Sequence, residues 1–137
     1  HTKRKIKNLN IKDKVHFYKD LSFKEVRDLY CSADIVVIPS LYEGFGFAIG
    51  EAMACKVPVI TTTGGAIPEV IEDCGIMVPP ANSEALEKAI LELIPDEKLK
   101  NSLSEKGFRR IIEHLQWKKV ADLMTESYQK EINKMLS

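Results

Sequence analysis

The sequence predicts an α/β fold, in which a parallel sheet is covered by helices on both faces and a purely helical segment follows. Three observations carry this. Ile35-Val36-Val37-Ile38 is a continuous β-branched run rather than an alternating one, which suits a parallel strand buried on both faces. Short apolar runs alternate with helix-period segments as far as Pro80, and that alternation implies parallel strands joined by crossover helices. From Ala81 onward only helix-period patterns remain. The 137 residues, 45% hydrophobic and 29% charged, amount to a single domain with one ordinary core. Residues 1–80 form its alternating part and residues 81–137 its helical part.

Taken in order, Val15-His16-Phe17-Tyr18 reads as a short strand, with His16 on the face opposite Val15 and Phe17. Ser22 starts a helix, and Glu25 three residues on completes a capping box. Phe23, Val26, Leu29, Tyr30 and Ala33 give that helix an apolar stripe. Pro39 stops the run of residues 35–38, a glycine-containing loop spans residues 40–46, and a helix occupies about residues 47–55. Val57-Pro58-Val59-Ile60-Thr61 is the next strand. Gly64-Gly65 makes a turn, residues 67–71 a short helix, and Ile76-Met77-Val78 a last strand closed by Pro79-Pro80. Leu86, Ala89, Ile90 and Leu93 then mark one helix, and Leu99 and Leu103 a second. Val120, Leu123, Met124, Ile132 and Met135 mark a long third helix with Trp117 as its packing anchor.

Twenty basic and twenty acidic residues cancel, which argues against a general nucleic-acid binder. The first twenty residues carry seven Lys/Arg against two Asp. A solvated surface accounts for this, and an edge facing phosphates or anionic lipid is the sharper alternative. Cys31, Cys55 and Cys74 are widely spaced without a CxxC, as expected of reduced core thiols in a cytoplasmic protein. No apolar run approaches the ~20 residues that span a bilayer, and no signal peptide is expected. The chain begins at His1 rather than Met, as a piece of a longer protein would. His1 and His114 offer no metal-ligand spacing and no Asp-x-Asp occurs, so no metal or other cofactor is expected.

The stretch LYEGFGFAIGEAMA, residues 41–54, carries the chemistry. In open parallel sheets, ligands bind beyond the carboxyl ends of the strands, which is where the 40–46 loop lies. The helix that follows aims its unpaired N–H groups and positive dipole end at the same place, favouring an anion. Gly44 and Gly46 let the backbone bend sharply and approach a ligand. No GxxxxGK[ST] is present. A bare phosphate site has no use for Glu43 and Glu51, but carboxylates are good acceptors for sugar hydroxyls. Placed to either side of an anion cradle, they could grip the polyols that flank a diphosphate, the layout of a nucleotide sugar. Spacing alone leaves open a plainer reading, with Glu51 a surface helix residue and Glu43 a turn former. Gly64-Gly65 likewise reads either as a loop before a helix or as a close backbone approach to the ligand. Glu69 is a first-turn helix acid.

The stretch ADIVVIPSLYEGFGFAIGEAMACKVPVITTTGGAIPEVI resembles the signature of the retaining, nucleotide-sugar-dependent group 1 glycosyltransferases (GT4-like), whose GT-B fold has two Rossmann-like domains. The likeness runs from about Val15 to Pro80, and LQWKKVADLMTESYQ resembles the family's terminal Trp-to-Tyr helix. Glu43 and Glu51 fit the family's E-x7-E motif. The resemblance implies that this chain is the donor-binding part of a hexosyltransferase. Glu43 would contact the donor hexose as the catalytic residue, and Glu51 the ribose hydroxyls. Gly44, the backbone of Phe45, Gly46 and Phe47, and Gly65 would complete the donor site, with Tyr18 and Lys19 beside the base. No metal is implied, and the diphosphate leaves from the face to which the acceptor adds.

The sequence departs from the family in having Lys56 and Lys19 where Gly is usual. The family also carries an acceptor-binding domain and the first strands of the donor domain ahead of this point, with an Arg and a Lys that neutralise the diphosphate. Nothing in residues 1–14 resembles them. The isolated segment is therefore expected to bind donor weakly and transfer nothing. An acceptor glycan or lipid-linked glycan would be held by the missing domain of a cytoplasmic parent peripheral to the membrane. An exposed face of the last helix would favour self-association. A non-catalytic nucleotide-sugar-binding module and a sugar-nucleotide epimerase of the same fold are the alternatives.

Overall fold

The computed structural model describes residues 2–136. His1 lies outside the described residues. A parallel sheet of three strands, β1 (Val36–Ile38), β2 (Val59–Thr62) and β3 (Ile76–Val78), has the order β1-β2-β3. Val36 pairs with Val59, and Ile60 with Ile76. The helices are α1 (Thr2–Asn8), α2 (Phe23–Ser32), α3 (Phe47–Ala54), α4 (Ile67–Ile71), α5 (Ser83–Leu93), α6 (Glu97–His114) and α7 (Trp117–Leu136), and a 3₁₀ turn spans Lys12–Lys14. No described helix is long and apolar enough to cross a membrane.

Strand alternation divides the core in two. Val36, Ile38, Val59 and Met77 face α3 and α4, packing on Ile49, Met53, Ile67 and Ile71. Val37, Ile60, Ile76 and Val78 face the other way, onto Ala89 and Leu93 of α5 and Leu103 of α6. The helix-covered parallel sheet expected from the sequence is therefore present, as is the helical C-terminal segment.

Several local expectations are corrected. Residues 15–18 do not form a strand. A strand is defined by its partner, and among the described residues no strand pairs with this segment. Instead Val15 and Phe17 share a hollow with Ile6 of α1, and the Lys3 ammonium lies 5.9 Å from the Phe17 ring centre. His16 is exposed. The strand buried on both faces is β2, whereas β1 is an edge strand and only half-buried. Ser22 caps α2 as expected, with the Glu25 carboxylate accepting from the Ser22 N–H at 2.8 Å and the Glu25 N–H donating to Ser22 Oγ at 3.4 Å. The stripe of α2 is nevertheless only partly covered: Val26, Tyr30 and Ala33 are half-buried, whereas Phe23 is 95% exposed. Trp117 is also exposed rather than an anchor. Of the three cysteines only Cys74 is a core thiol, since Cys31 is exposed and Cys55 half-buried. Burial, and then contact with the Cys31 thiol, push the Cys55 thiol up to about 11.

The end of α3 explains Lys56. Its N–H donates to the Met53 carbonyl at 3.0 Å, and the Val57 N–H to the Ala52 carbonyl at 3.2 Å. This crossed pair of bonds requires a left-handed residue, and Lys56 has φ of 56°. Left-handed backbone costs a non-glycine residue ~1–2 kcal/mol. The side chain offsets part of that cost: its ammonium sits 2.8 Å from Glu105 and 4.7 Å from the Phe108 ring centre. Both contacts are at the surface and contribute roughly 0–1 kcal/mol each. Lys56→Gly is expected to leave the melting temperature unchanged or raised. A fall of more than about 4 °C, equivalent to roughly 1 kcal/mol, would contradict this account of the cap.

Candidate functional site

Beyond the carboxyl ends of β1 and β2, two loops meet. One is residues 40–46, which leads into α3, and the other is residues 63–66, which leads into α4. Gly46 is the N-cap of α3, with φ of 80° and ψ of 43°, and a Cβ there would press on Ile49 at 3.2 Å. Only glycine takes this conformation without strain, so the turn into α3 depends on it. Past that turn, the N–H groups of Phe47 and Ala48 meet no acceptor among the described residues. Phe47 is exposed. The helix start is thus open, with unpaired donors and the positive end of the dipole facing out.

Phe45, Gly46 and Phe47 line one groove together with Gly50 and Glu51 of α3, about 330 Å³ in volume. The rings of Phe45 and Phe47 lean on each other with centres 4.6 Å apart. The far wall is apolar and includes Ile111 of α6 and Trp117 of α7. The structure therefore brings Phe45, Gly46, Phe47 and Glu51 to one place. Tyr30 of α2 reaches Glu51 from the other side. Its phenol is pushed up, first by burial and then by the nearby charge of Glu51.

Glu43 is half-buried in the loop and held on several sides. Its N–H donates to the Gly64 carbonyl at 3.3 Å, and its own carbonyl accepts from the Ala66 N–H at 2.9 Å, making a bridge between Glu43 and Gly65. Its carboxylate Oε1 accepts the Ser40 hydroxyl at 2.7 Å. Gly65 has φ of 71°, and a Cβ on it would overlap the Glu43 carbonyl oxygen, while a Cβ on Gly64 would overlap that of Leu41. In this structure the close approach that the two glycines permit is to the other loop. Gly44 is different, because nothing lies within 4 Å of where its Cβ would be.

Sequence reasoning did not single out Ser40 or Thr62, and gave Tyr30 only a packing role. Ser40 stands three residues before Glu43, a spacing at which a hydroxyl can reach a carboxylate across a tight turn. The roles of Thr62 and Tyr30 depend on which elements become neighbours. No group of three or more metal-ligating side chains occurs among the described residues.

Residues 1–110 match the family described as Glycosyl transferases group 1, and the chain belongs to that family. Among curated relatives, MMP alpha-(1->4)-mannosyltransferase of Mycolicibacterium hassiacum is 36% identical over 134 residues, covering 96% of this chain and 33% of that protein. Among solved structures, sucrose-phosphate synthase from Thermosynechococcus elongatus superposes with a TM-score of 0.85 at 29% identity, over 97% of this chain and 34% of that one. Anabaena Alr3699/HepE, solved in complex with UDP-glucose, shares the fold with a TM-score of 0.84 at 22% identity, over 94% of this chain and 36% of that one. The chain thus spans about a third of the length of these proteins. Its fold is the C-terminal part of a GT-B glycosyltransferase.

Proposed function

We propose that this chain is the donor-binding part of a retaining glycosyltransferase that takes a hexose from a nucleotide-diphosphate sugar, and that alone it holds donor weakly and transfers nothing. The observation that carries this reading is the open start of α3, where the N–H groups of Phe47 and Ala48 are unpaired and Phe47 shares a groove with Glu51. A pyrophosphate fits the positive end of the helix. Glu51, one turn further on, accepts ribose hydroxyls, and Glu43 accepts from the hexose on the other side. Gly44 leaves open space for that approach, and Gly65 supports it by fixing Glu43. The UDP-glucose bound by HepE has this layout of ribose, diphosphate and hexose.

The chemistry explains why the segment is inactive. As the sugar–phosphate bond breaks, negative charge develops on the β-phosphate and has to be stabilised where it forms. The helix start supplies N–H groups and a dipole, without a metal. The remaining positive charge, the acceptor and the exclusion of water come from the part of the parent outside this chain. Calorimetric titration of the chain with UDP-glucose and GDP-mannose is expected to give dissociation constants well above micromolar, with no sugar released or transferred. Submicromolar binding or turnover would refute the proposal. In a full-length parent, Glu43→Ala is expected to abolish transfer. Survival of transfer would favour a non-catalytic role for this residue, and an isomerised nucleotide sugar as product would identify an epimerase.

A further inference from the structure

We propose that Ser40 is a positioning residue for Glu43, so that the donor hexose is met by one oriented carboxylate oxygen rather than by a freely rotating carboxylate. The inference rests on the donor-site reading above and adds a residue that neither the motif nor the family match assigns.

The Ser40 hydroxyl donates to Glu43 Oε1 at 2.7 Å, in a part-buried setting. Ser40 is itself held: its carbonyl accepts the Thr62 hydroxyl at 2.5 Å, and Thr62 is 2% exposed at the end of β2. The Gly64 N–H donates in turn to Thr62 Oγ1 at 3.4 Å. The neighbouring Thr61 hydroxyl repeats the link one residue earlier, donating to the Ile38 carbonyl at 2.9 Å. The main chain of Glu43 is fixed from the opposite side by Gly64 and Ala66. One carboxylate oxygen is therefore engaged, and Oε2 has no hydrogen-bond or ion-pair partner among the described residues. A glutamate carboxylate normally samples several rotamers, and ordering it on binding weakens the complex. Here that ordering is done in advance. It also biases the recognition geometry, since Oε1 has one lone pair engaged by Ser40 while Oε2 keeps both for a ligand hydroxyl.

The test is the gain in affinity that the sugar adds, read as the ratio of UDP to UDP-glucose dissociation constants, and of GDP to GDP-mannose. These are measured by calorimetry on the chain and its variants, with circular dichroism to confirm folding. Ser40→Ala is expected to reduce the gain roughly tenfold, as for loss of a hydrogen bond to a charged group, with nucleoside diphosphate affinity unchanged. Ser40→Thr, which keeps the hydroxyl, is expected to restore it. Ser40→Cys, a far weaker donor, reads the same quantity if Ser40→Ala does not fold. An unchanged ratio in Ser40→Ala beside a collapsed ratio in Glu43→Ala overturns the inference and leaves the donor-site reading standing. An equal loss for diphosphate and nucleotide sugar in Ser40→Ala also overturns it, by showing general damage to the loop. An unchanged ratio in Glu43→Ala, or no gain from the sugar in the unaltered chain, sinks the reading and the inference together.

Discussion

Gly65→Ala is expected to lower the unfolding free energy by about 3 kcal/mol, whereas Gly44→Ala changes it by less than about 0.5 kcal/mol. The two glycines lie in facing loops, yet their surroundings differ. Gly65 has φ of 71°, and its Cβ would overlap the Glu43 carbonyl oxygen, a backbone atom. Left-handed strain accounts for roughly 1 kcal/mol of the loss, and the forced separation of the two loops for the rest. That separation breaks the hydrogen bonds from Glu43 to Gly64 and from Ala66 to Glu43. Around Gly44 there is open space. Urea unfolding of both variants reads the difference directly. Equal effects would show that the loop at residues 63–66 does not clamp Glu43.

Arg110→Ala is expected to cost a similar amount, about 3 kcal/mol. Arg110 projects from α6 to the end of α4, and only 12% of its side chain is exposed. Its Nε donates to the Val70 carbonyl at 2.7 Å and its Nη2 to the Glu69 carbonyl at 2.5 Å. These carbonyls end a helix of five residues that cannot satisfy them itself. The Glu72 carboxylate is 2.7 Å from Nη1 but 58% exposed, so that ion pair contributes the smaller share. Two consequences separate this from a simple surface ion pair. Arg110→Lys recovers little of the stability, because an ammonium lacks the planar fork. High salt leaves most of the loss in place, because the bond to the Val70 carbonyl is partly buried and neither carbonyl carries a net charge. A loss below about 1 kcal/mol, or one that vanishes in 1 M salt, would contradict this role.

The elements whose limits were legible in the sequence are those fixed by local chemistry. The Ser22-to-Glu25 box, the glycine before α3, the Gly64-Gly65 turn before α4 and the prolines after β3 all act within a few residues, and those boundaries fall where expected. The strand expected at residues 15–18 failed because its pattern is sound but a ladder needs a second chain segment. The burial of β1 was overestimated for a related reason: a β-branched run suits a central strand, yet position in the sheet depends on strand order. Phe23 shows the same limit on α2, where periodicity marks a face without showing what covers it. In the site, residues 43–51 could be read from the sequence because a helix start is a local structure. The hold on Glu43 through Ser40, Thr62 and Gly64 could not be read so, since it requires two loops some twenty residues apart to meet at adjacent strand ends. Arg110, forty residues from the carbonyls it caps, looked like any cation on a solvated helix.

The account's central claim, that the start of α3 holds the pyrophosphate, is tested most directly by amide chemical-shift mapping of the ¹⁵N-labelled chain during titration with UDP and with GDP. The predicted result is that the largest shifts fall on the amides of Gly44, Phe45, Gly46, Phe47 and Ala48, saturating together at one dissociation constant. Shifts confined to the lysine-lined hollow of Lys3, Lys7 and Lys12, with the start of α3 unmoved at saturation, would contradict it.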